Sequence, residues 1–315
     1  MTADSSPLVS VVVTTYFRND LVREALDSVF EQTYEPIEVI LVDDSAERHA
    51  EPVADEYDVT YVGLETNHGP HAARDAGVDY VNGEYVQFLD DDDALKPSKI
   101  EAQVELFETV DDAVGVVYCG YEYFDERQRI MPSEAMRGDV LDRALQSRMD
   151  PACTPTMMYR RSVLESVRPF KNTHGADIIG FLIELAQVTE FDFVDDDLVW
   201  VRRNDEHESY SAPPTVTDGL REMMGMYEHL YERTDPENYR CFMGRYHRRR
   251  MEELLSLHVW SPTAIYHAGA AVKYSPDWKS LVTAGLSVFG RYGLRLGRKG
   301  FSVVSGGEQE YTVRG

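Results

Sequence analysis

Leu8 to Thr15 reads LVSVVVTT, a continuous apolar and β-branched run. A strand of this kind is covered on both faces, which is the position of a central strand in a parallel sheet. The chain after it fits that requirement. Asn19-Asp20 is placed to cap a helix whose apolar residues Leu21, Val22, Ala25, Leu26, Val29 and Phe30 recur at helical spacing. Ile37 to Val42 is a second buried strand ending at Asp43-Asp44-Ser45, with a helix expected from there to about Tyr57. Val59 to Val62 is a third strand, His71 to Val81 a helix, and Tyr85 to Leu89 a fourth strand. Pro97 opens another helix, and Val114 to Tyr118 is a fifth strand.

Strand and helix thus alternate over the first 120 residues or so, the pattern of an open, mostly parallel α/β sheet with helices on both faces. Ligands of such sheets sit outside the carboxyl ends of the strands. Those ends carry the polar residues here: Thr14-Thr15-Tyr16, Asp43-Asp44, and the run Asp90-Asp91-Asp92-Asp93. Four adjacent carboxylates repel one another and nothing beside them in sequence neutralises them. A divalent cation holding an anionic ligand would do so. The first strand–helix turn has no GxGxxG, which disfavours a dinucleotide.

The formal net charge is -25 over 315 residues, which argues against nucleic acid as a partner. Lysine is rare, arginine is the main cation and carboxylates abound, a balance that suits a high-salt cytoplasm. Three scattered cysteines, Cys119, Cys153 and Cys241, read as reduced thiols. The N-terminus does not read as a signal peptide, and no apolar run of about 18 residues is present, so the expected location is the cytoplasm.

Beyond residue 120 the alternation fades. Tyr121 to Ile130 suggests an antiparallel ribbon, Thr156 to Arg160 a strand leading into a helix, and Asp192 to Val201 a last strand. A domain boundary is expected near 235, with 1–235 as the sheet domain and 236–315 as a helical extension. Residues 240–300 carry 11 Lys/Arg against 3 Asp/Glu. Such a basic, partly amphipathic segment either lies peripherally on an anionic membrane or packs on the acidic domain or another subunit.

The ordered set VSVVVTTYFRNDLVREALDSVFEQTYEPIEVILVDDS, then NHGPHAARDAGVDYVNGEYVQFLDDDD, then a Gly-x-Asp before an apolar helix, resembles the family 2 glycosyltransferases of GT-A fold. The resemblance covers about the first 200 residues. It implies transfer of a sugar, with inversion, from a nucleoside diphosphate donor to a glycan or a polyprenyl- or dolichyl-phosphate-linked acceptor. It places Thr14 and Tyr16 at the nucleobase, Asp44 at the base or ribose, and Arg74 near the donor, where its guanidinium offsets charge on the diphosphate or on the acidic run. In the acidic run it puts Asp92 on the metal, Mg²⁺ or Mn²⁺, with Asp90 and Asp91 toward the ribose, sugar or metal waters, although the four-residue run leaves the register open by one. Asp177 matches the base that takes the acceptor's proton, with Ala176 where relatives carry Glu; a helix N-cap is the structural alternative. His207 resembles a late loop residue that closes over the diphosphate. Tyr16 with Asp44 leans toward uridine over guanosine, and the acidic composition suits protein N-glycosylation or surface polysaccharide synthesis in a halophilic archaeon. A sugar nucleotidyltransferase and a non-catalytic nucleotide-sugar-binding scaffold are the rival functions.

Overall fold

The structure, a computed structural model, describes residues 6–124, 128–171, 175–202 and 215–293. The chain forms two compact units: residues 1–144, 148–172 and 177–204 in the first, and 145–147, 173–176 and 205–315 in the second.

The first unit is built on strands β1 (Val9–Thr15), β2 (Ile37–Asp43), β3 (Thr60–Gly63), β4 (Tyr85–Asp90), β5 (Ala94–Leu95), β6 (Val114–Tyr123), β7 (Arg129–Ile130), β8 (Met158–Arg160) and β9 (Glu190–Val201). They form one sheet in the order β3-β2-β1-β4-β8-β6-β9-β5, with β7 paired to β6. The β3-β2-β1-β4 half is parallel, and β1 is buried at every residue, as its composition demands. The other half is mixed: β8 runs antiparallel to both β4 and β6, β9 is parallel to β6, and β5 is antiparallel to β9. The expected ribbon is the β6–β7 pair, with Tyr121 opposite Ile130.

Helices α1 (Asn19–Phe30), α2 (Glu51–Ala54), α3 (Pro70–Val78), α4 (Lys99–Phe107), α5 (Leu141–Leu145), α6 (Arg161–Ser166) and α7 (Asp177–Ala186) connect the strands. α1 packs on β1, β4 and β5, α3 on β1 and β2, and α4 on β6 and β9. Gly77 lets α3 sit close to the sheet: a Cβ there would lie 2.4 Å from Val12 Cγ1.

Two local expectations give way. Asn19-Asp20 does not cap α1; Arg18 occupies the cap position and its side chain makes no bond to the helix's first N–H groups, while Asn19 Nδ2 donates to His49 O at 3.0 Å. The helix expected through Tyr57 shrinks to α2, because Asp43 and Ser45 draw the preceding backbone N–H groups into a turn: Ser45 N and Ala50 N donate to Asp43, and His49 N to Ser45 Oγ.

The second unit contains α8 (Thr215–Met226), α9 (Glu228–Arg233), α10 (Pro236–Leu257), α11 (Pro262–Tyr274) and α12 (Trp278–Ser287). α8 and α9 pack on α10, so the division falls near residue 204 and the helices before 235 go with the C-terminal unit. Met251, Leu255, Ala264 and Ala268 form a small core between α10 and α11. Among the described residues no helix is long and apolar enough to cross a membrane.

Candidate active site

Parallel pairing brings the ends of three strands side by side. Thr14 lies opposite Asp90 of β4, and Thr15 opposite Asp43 of β2, so Tyr16, Asp44 and the acidic run emerge at one sheet edge. Tyr16 is 46% exposed and meets Phe17 edge-on at 4.8 Å, so two aromatic rings stand at this edge.

The four aspartates divide by environment. Asp90 keeps 27% of its side chain exposed, is ion-paired with Arg74 and accepts from Thr14 Oγ1 at 3.3 Å. Asp91 turns inward with a fully buried side chain, contrary to the expectation that it faces a ligand. Its Oδ2 accepts from Thr15 Oγ1 at 2.7 Å and from Arg18 Nε at 3.2 Å, and its Oδ1 lies 2.6 Å from Arg18 Nη2. Burial pushes the Asp91 pKa up to about 7, with the Arg18 charge opposing the shift. Asp92 is 11% exposed at its side chain and pairs with Arg18 Nη1 at 3.0 Å. Asp93 is buried and accepts from Arg202 N at 3.0 Å; burial and its acidic neighbours hold its pKa well above the usual range.

The repulsion is therefore met by protein cations. Arg18 and Arg74 reach the run from 73 and 16 residues away, and Arg202 N arrives from the end of β9. The Arg74 pair is one of the two roles expected for that arginine; local sequence cannot show the Arg18 pair, since only the tertiary fold makes Arg18 a neighbour of the run. Arg18 and Thr15 had no expected role. The available signal was an arginine directly at the strand–helix turn facing an acidic strand end.

The donor chemistry suits a hard cation, since Asp90 and Asp92 both offer carboxylate oxygens near the surface. No group of three or more His, Cys, Asp or Glu side chains among the described residues is disposed to hold one. The fit is thus to a magnesium-like ion held by one or two carboxylates, with ligand oxygens and water completing the shell.

Asp43 is wholly structural, accepting from Ser45 N, Ala50 N and the Tyr61 hydroxyl. Asp44 accepts from His68 N and Gly69 N, each at 2.8 Å, and burial raises its pKa. Both Asp44 oxygens are thus engaged by the turn that precedes α3.

Asp177 is buried at the first residue of α7. His71, three residues before Arg74, meets Phe181 edge-on at 5.6 Å. This ring contact joins α3, which carries Arg74, to α7, which begins at Asp177. His71 is buried and its pKa lies well below the ordinary value, through desolvation and then the Arg74 charge. His207, with Arg203 and Ser211, lies outside the described residues; Arg202 donates from Nε to Asp92 O at 3.3 Å.

The family model described as glycosyl transferase family 2 matches residues 10–168, half of the chain. The chain belongs to that family. An uncharacterised glycosyltransferase of Rickettsia typhi is 34% identical over 145 residues, 44% of this chain and 46% of the relative. The putative teichuronic acid biosynthesis glycosyltransferase TuaG of Bacillus subtilis is 35% identical over 104 residues, 31% of this chain and 41% of that one. The matched stretches thus span about half the length of these curated relatives or less. Two solved structures share the glycosyltransferase fold. S. aureus TarS 1–349 in complex with UDP-GlcNAc superposes with a TM-score of 0.63 at 18% identity, covering 93% of this chain and 92% of that one. The mannosyltransferase PcManGT from Pyrobaculum calidifontis, in complex with GDP-Man and Mn²⁺, gives 0.56 at 18%, covering 95% and 88%. The family 2 chain thus has the α/β architecture of enzymes that bind nucleotide sugars.

Proposed function

We propose that this chain is an inverting glycosyltransferase that moves a sugar from a nucleoside diphosphate donor, uridine favoured, to a hydroxyl of a glycan or lipid-linked acceptor. The observation that carries this reading is the single sheet edge where an exposed Tyr16, the partly exposed Asp90, the nearly buried Asp92 and Arg74 meet within the family 2 match. Tyr16 offers a face for the base, beside Thr14. Asp44 acts on the nucleoside side by fixing the turn before α3, Asp90 holds Arg74 toward the diphosphate, and Asp91 anchors the run from below. Asp92, with Asp90, is the place for Mg²⁺ or Mn²⁺, which when bound would stabilise charge on the departing diphosphate. Asp177, in the first turn of α7, takes the acceptor's proton as its oxygen attacks the anomeric carbon. His207 completes the proposed donor set from beyond the described residues.

The basic 240–300 region suits an acceptor carried on a lipid, with the protein on the cytoplasmic face of a membrane. The acidic remainder suits high salt, and protein glycosylation in a halophile is the setting we infer. If folding and activity proved indifferent to molar salt, that setting would be excluded.

The test is Asp177→Asn, with donor binding and turnover both measured on a panel of nucleotide sugars with Mn²⁺ and a lipid extract. Turnover should fall by roughly 10²- to 10⁴-fold while donor binding is kept. Full activity in the variant would remove Asp177 from the mechanism, and no transfer by the unmodified chain from any donor would count against the enzyme itself.

A further inference from the structure

The two arginines on the acidic run are held differently. Arg74 keeps 8% of its side chain exposed in its pair with Asp90, whereas Arg18 keeps 37% exposed while spanning Asp91 and Asp92. Arg18 stands at the cap position of α1, just after Phe17, whose backbone is left-handed at φ 57°. Among the described residues its side chain is held by two carboxylates: Nε and Nη2 reach Asp91, and Nη1 reaches Asp92. The Asp91 Oδ1 end is an ion pair without hydrogen-bond alignment, which leaves that oxygen buried and incompletely satisfied.

This arrangement conflicts with a filled site. A divalent cation at Asp92 and the guanidinium of Arg18 would compete for the same carboxylate oxygens, and two cations at such spacing repel. A donor also brings a new anion, its diphosphate, to the same edge. We infer that Arg18 is an exchangeable counter-ion: it neutralises Asp91 and Asp92 in the empty chain and transfers to the donor's diphosphate as the site fills. Arg74 is the fixed partner and Arg18 the movable one. Asp91 is buried, so Arg18 leaves only as another cation takes its place, and a guanidinium matches phosphate oxygens as well as carboxylate, which gives it a new partner on the diphosphate. The inference rests on the nucleotide-sugar reading above and deepens it by adding a residue to the donor site.

The experiment separates binding of the two probes. Mn²⁺ alone is titrated into the metal-free full chain by electron paramagnetic resonance, and uridine diphosphate alone by calorimetry, for the unmodified protein and Arg18→Gln. Removing the competing charge should tighten Mn²⁺ binding about tenfold. The same variant should bind uridine diphosphate several-fold more weakly, because a phosphate partner is gone. Opposite movement of the two affinities is the signature; a merely structural arginine would weaken both. Unchanged Mn²⁺ affinity, or parallel loss of both, overturns the exchange. If Arg18→Gln fails to fold, Arg18→Lys serves: an ammonium cannot span both carboxylates, so the same opposite shifts should appear at a few-fold, and identical affinities would overturn the idea. Uridine diphosphate with Mn²⁺ on the unmodified chain is the control. Failure to bind there strikes the donor reading, whereas binding there without an Arg18 effect strikes this inference only.

Discussion

Asp44 Oδ2 accepts the Gly69 N–H at 2.8 Å, and through it the end of β2 holds the start of α3. Its other oxygen takes the His68 N–H at the same distance, so one carboxylate satisfies two donors of the turn before the helix that carries Arg74. Asp44→Ala would remove the charged acceptor shared by both N–H groups, leaving the buried Gly69 N–H with Asn67 Oδ1 at 3.0 Å. Unfolding in urea should show a loss of about 2 kcal/mol for Asp44→Ala and a smaller one for Asp44→Asn, which keeps an acceptor oxygen. A midpoint unchanged in Asp44→Ala would show that water replaces the carboxylate without cost.

The second unit carries a pH-sensitive pair. His247 Nδ1 and His267 Nδ1 are 2.7 Å apart, so one ring donates and the other must accept in its neutral form. Burial lowers both pKa values; for His267 the His247, Arg250 and Arg221 charges add to it and bring the value to about 4. A histidine depressed in the folded state binds fewer protons than in the unfolded chain. Its contribution is complete above the ordinary value near 6.5 and is lost as pH falls toward 4. Thermal melts between pH 8 and pH 4 should therefore fall more steeply across that window for the unmodified chain than for His267→Asn. Parallel curves would show that the pair does not titrate with folding.

The parallel half of the fold was legible because strands covered on both faces are dominated by apolar and β-branched residues. Val11, Val12, Val13, Leu41, Val42 and Phe88 are essentially inaccessible, and the apolar runs that contain them mark β1, β2 and β4. The mixed half was less readable. β5 is two residues long, directly after the acidic run, and β8 enters between β4 and β6 from some 70 residues later in the chain, a non-local pairing with no local signature. Lys99 shows the same limit in one side chain. Helical spacing gives no reason to bury a lysine, yet it is fully buried, bonded to Gln87 and Gln103 Oε1, with its pKa lowered to about 8 by desolvation. In the site, Tyr16, Asp44, Arg74 and the acidic run were picked out by motif. Arg18 was not, because its partners are defined only by the β1–β4 pairing.

The proposed membrane contact has a specific surface. Trp260 Nε1 donates to Val288 O at 3.1 Å, Arg291 N to Val259 O at 2.9 Å, and Arg291 Nε to Leu255 O at 2.7 Å, which fasten the α10–α11 turn to the end of α12. Gly290, at φ 63°, permits the approach, since a Cβ there would lie 2.2 Å from Val259 O. The joined segments expose Val259, Trp260, Val288, Phe289 and Tyr292, with Phe289 72% and Tyr292 64% accessible. From Leu254 to Gly293 the only carboxylate is Asp277, which is bound to Ser275, Ser280 and Arg248. Apolar and aromatic side chains with little negative charge suit an anionic bilayer surface. Affinity for phosphatidylglycerol–phosphatidylcholine vesicles, read by co-sedimentation, should fall about thirtyfold in Trp260→Ser/Phe289→Ser, since each anchor contributes on the order of 1 kcal/mol when partly buried in lipid. Neutral vesicles should bind the unmodified chain more weakly at low ionic strength, and in molar salt that difference should vanish while the apolar anchors keep the chain bound. Equal sedimentation of the double variant would remove this surface from any membrane contact, and dimerisation of the unmodified chain abolished by the same changes would assign it to a second copy instead.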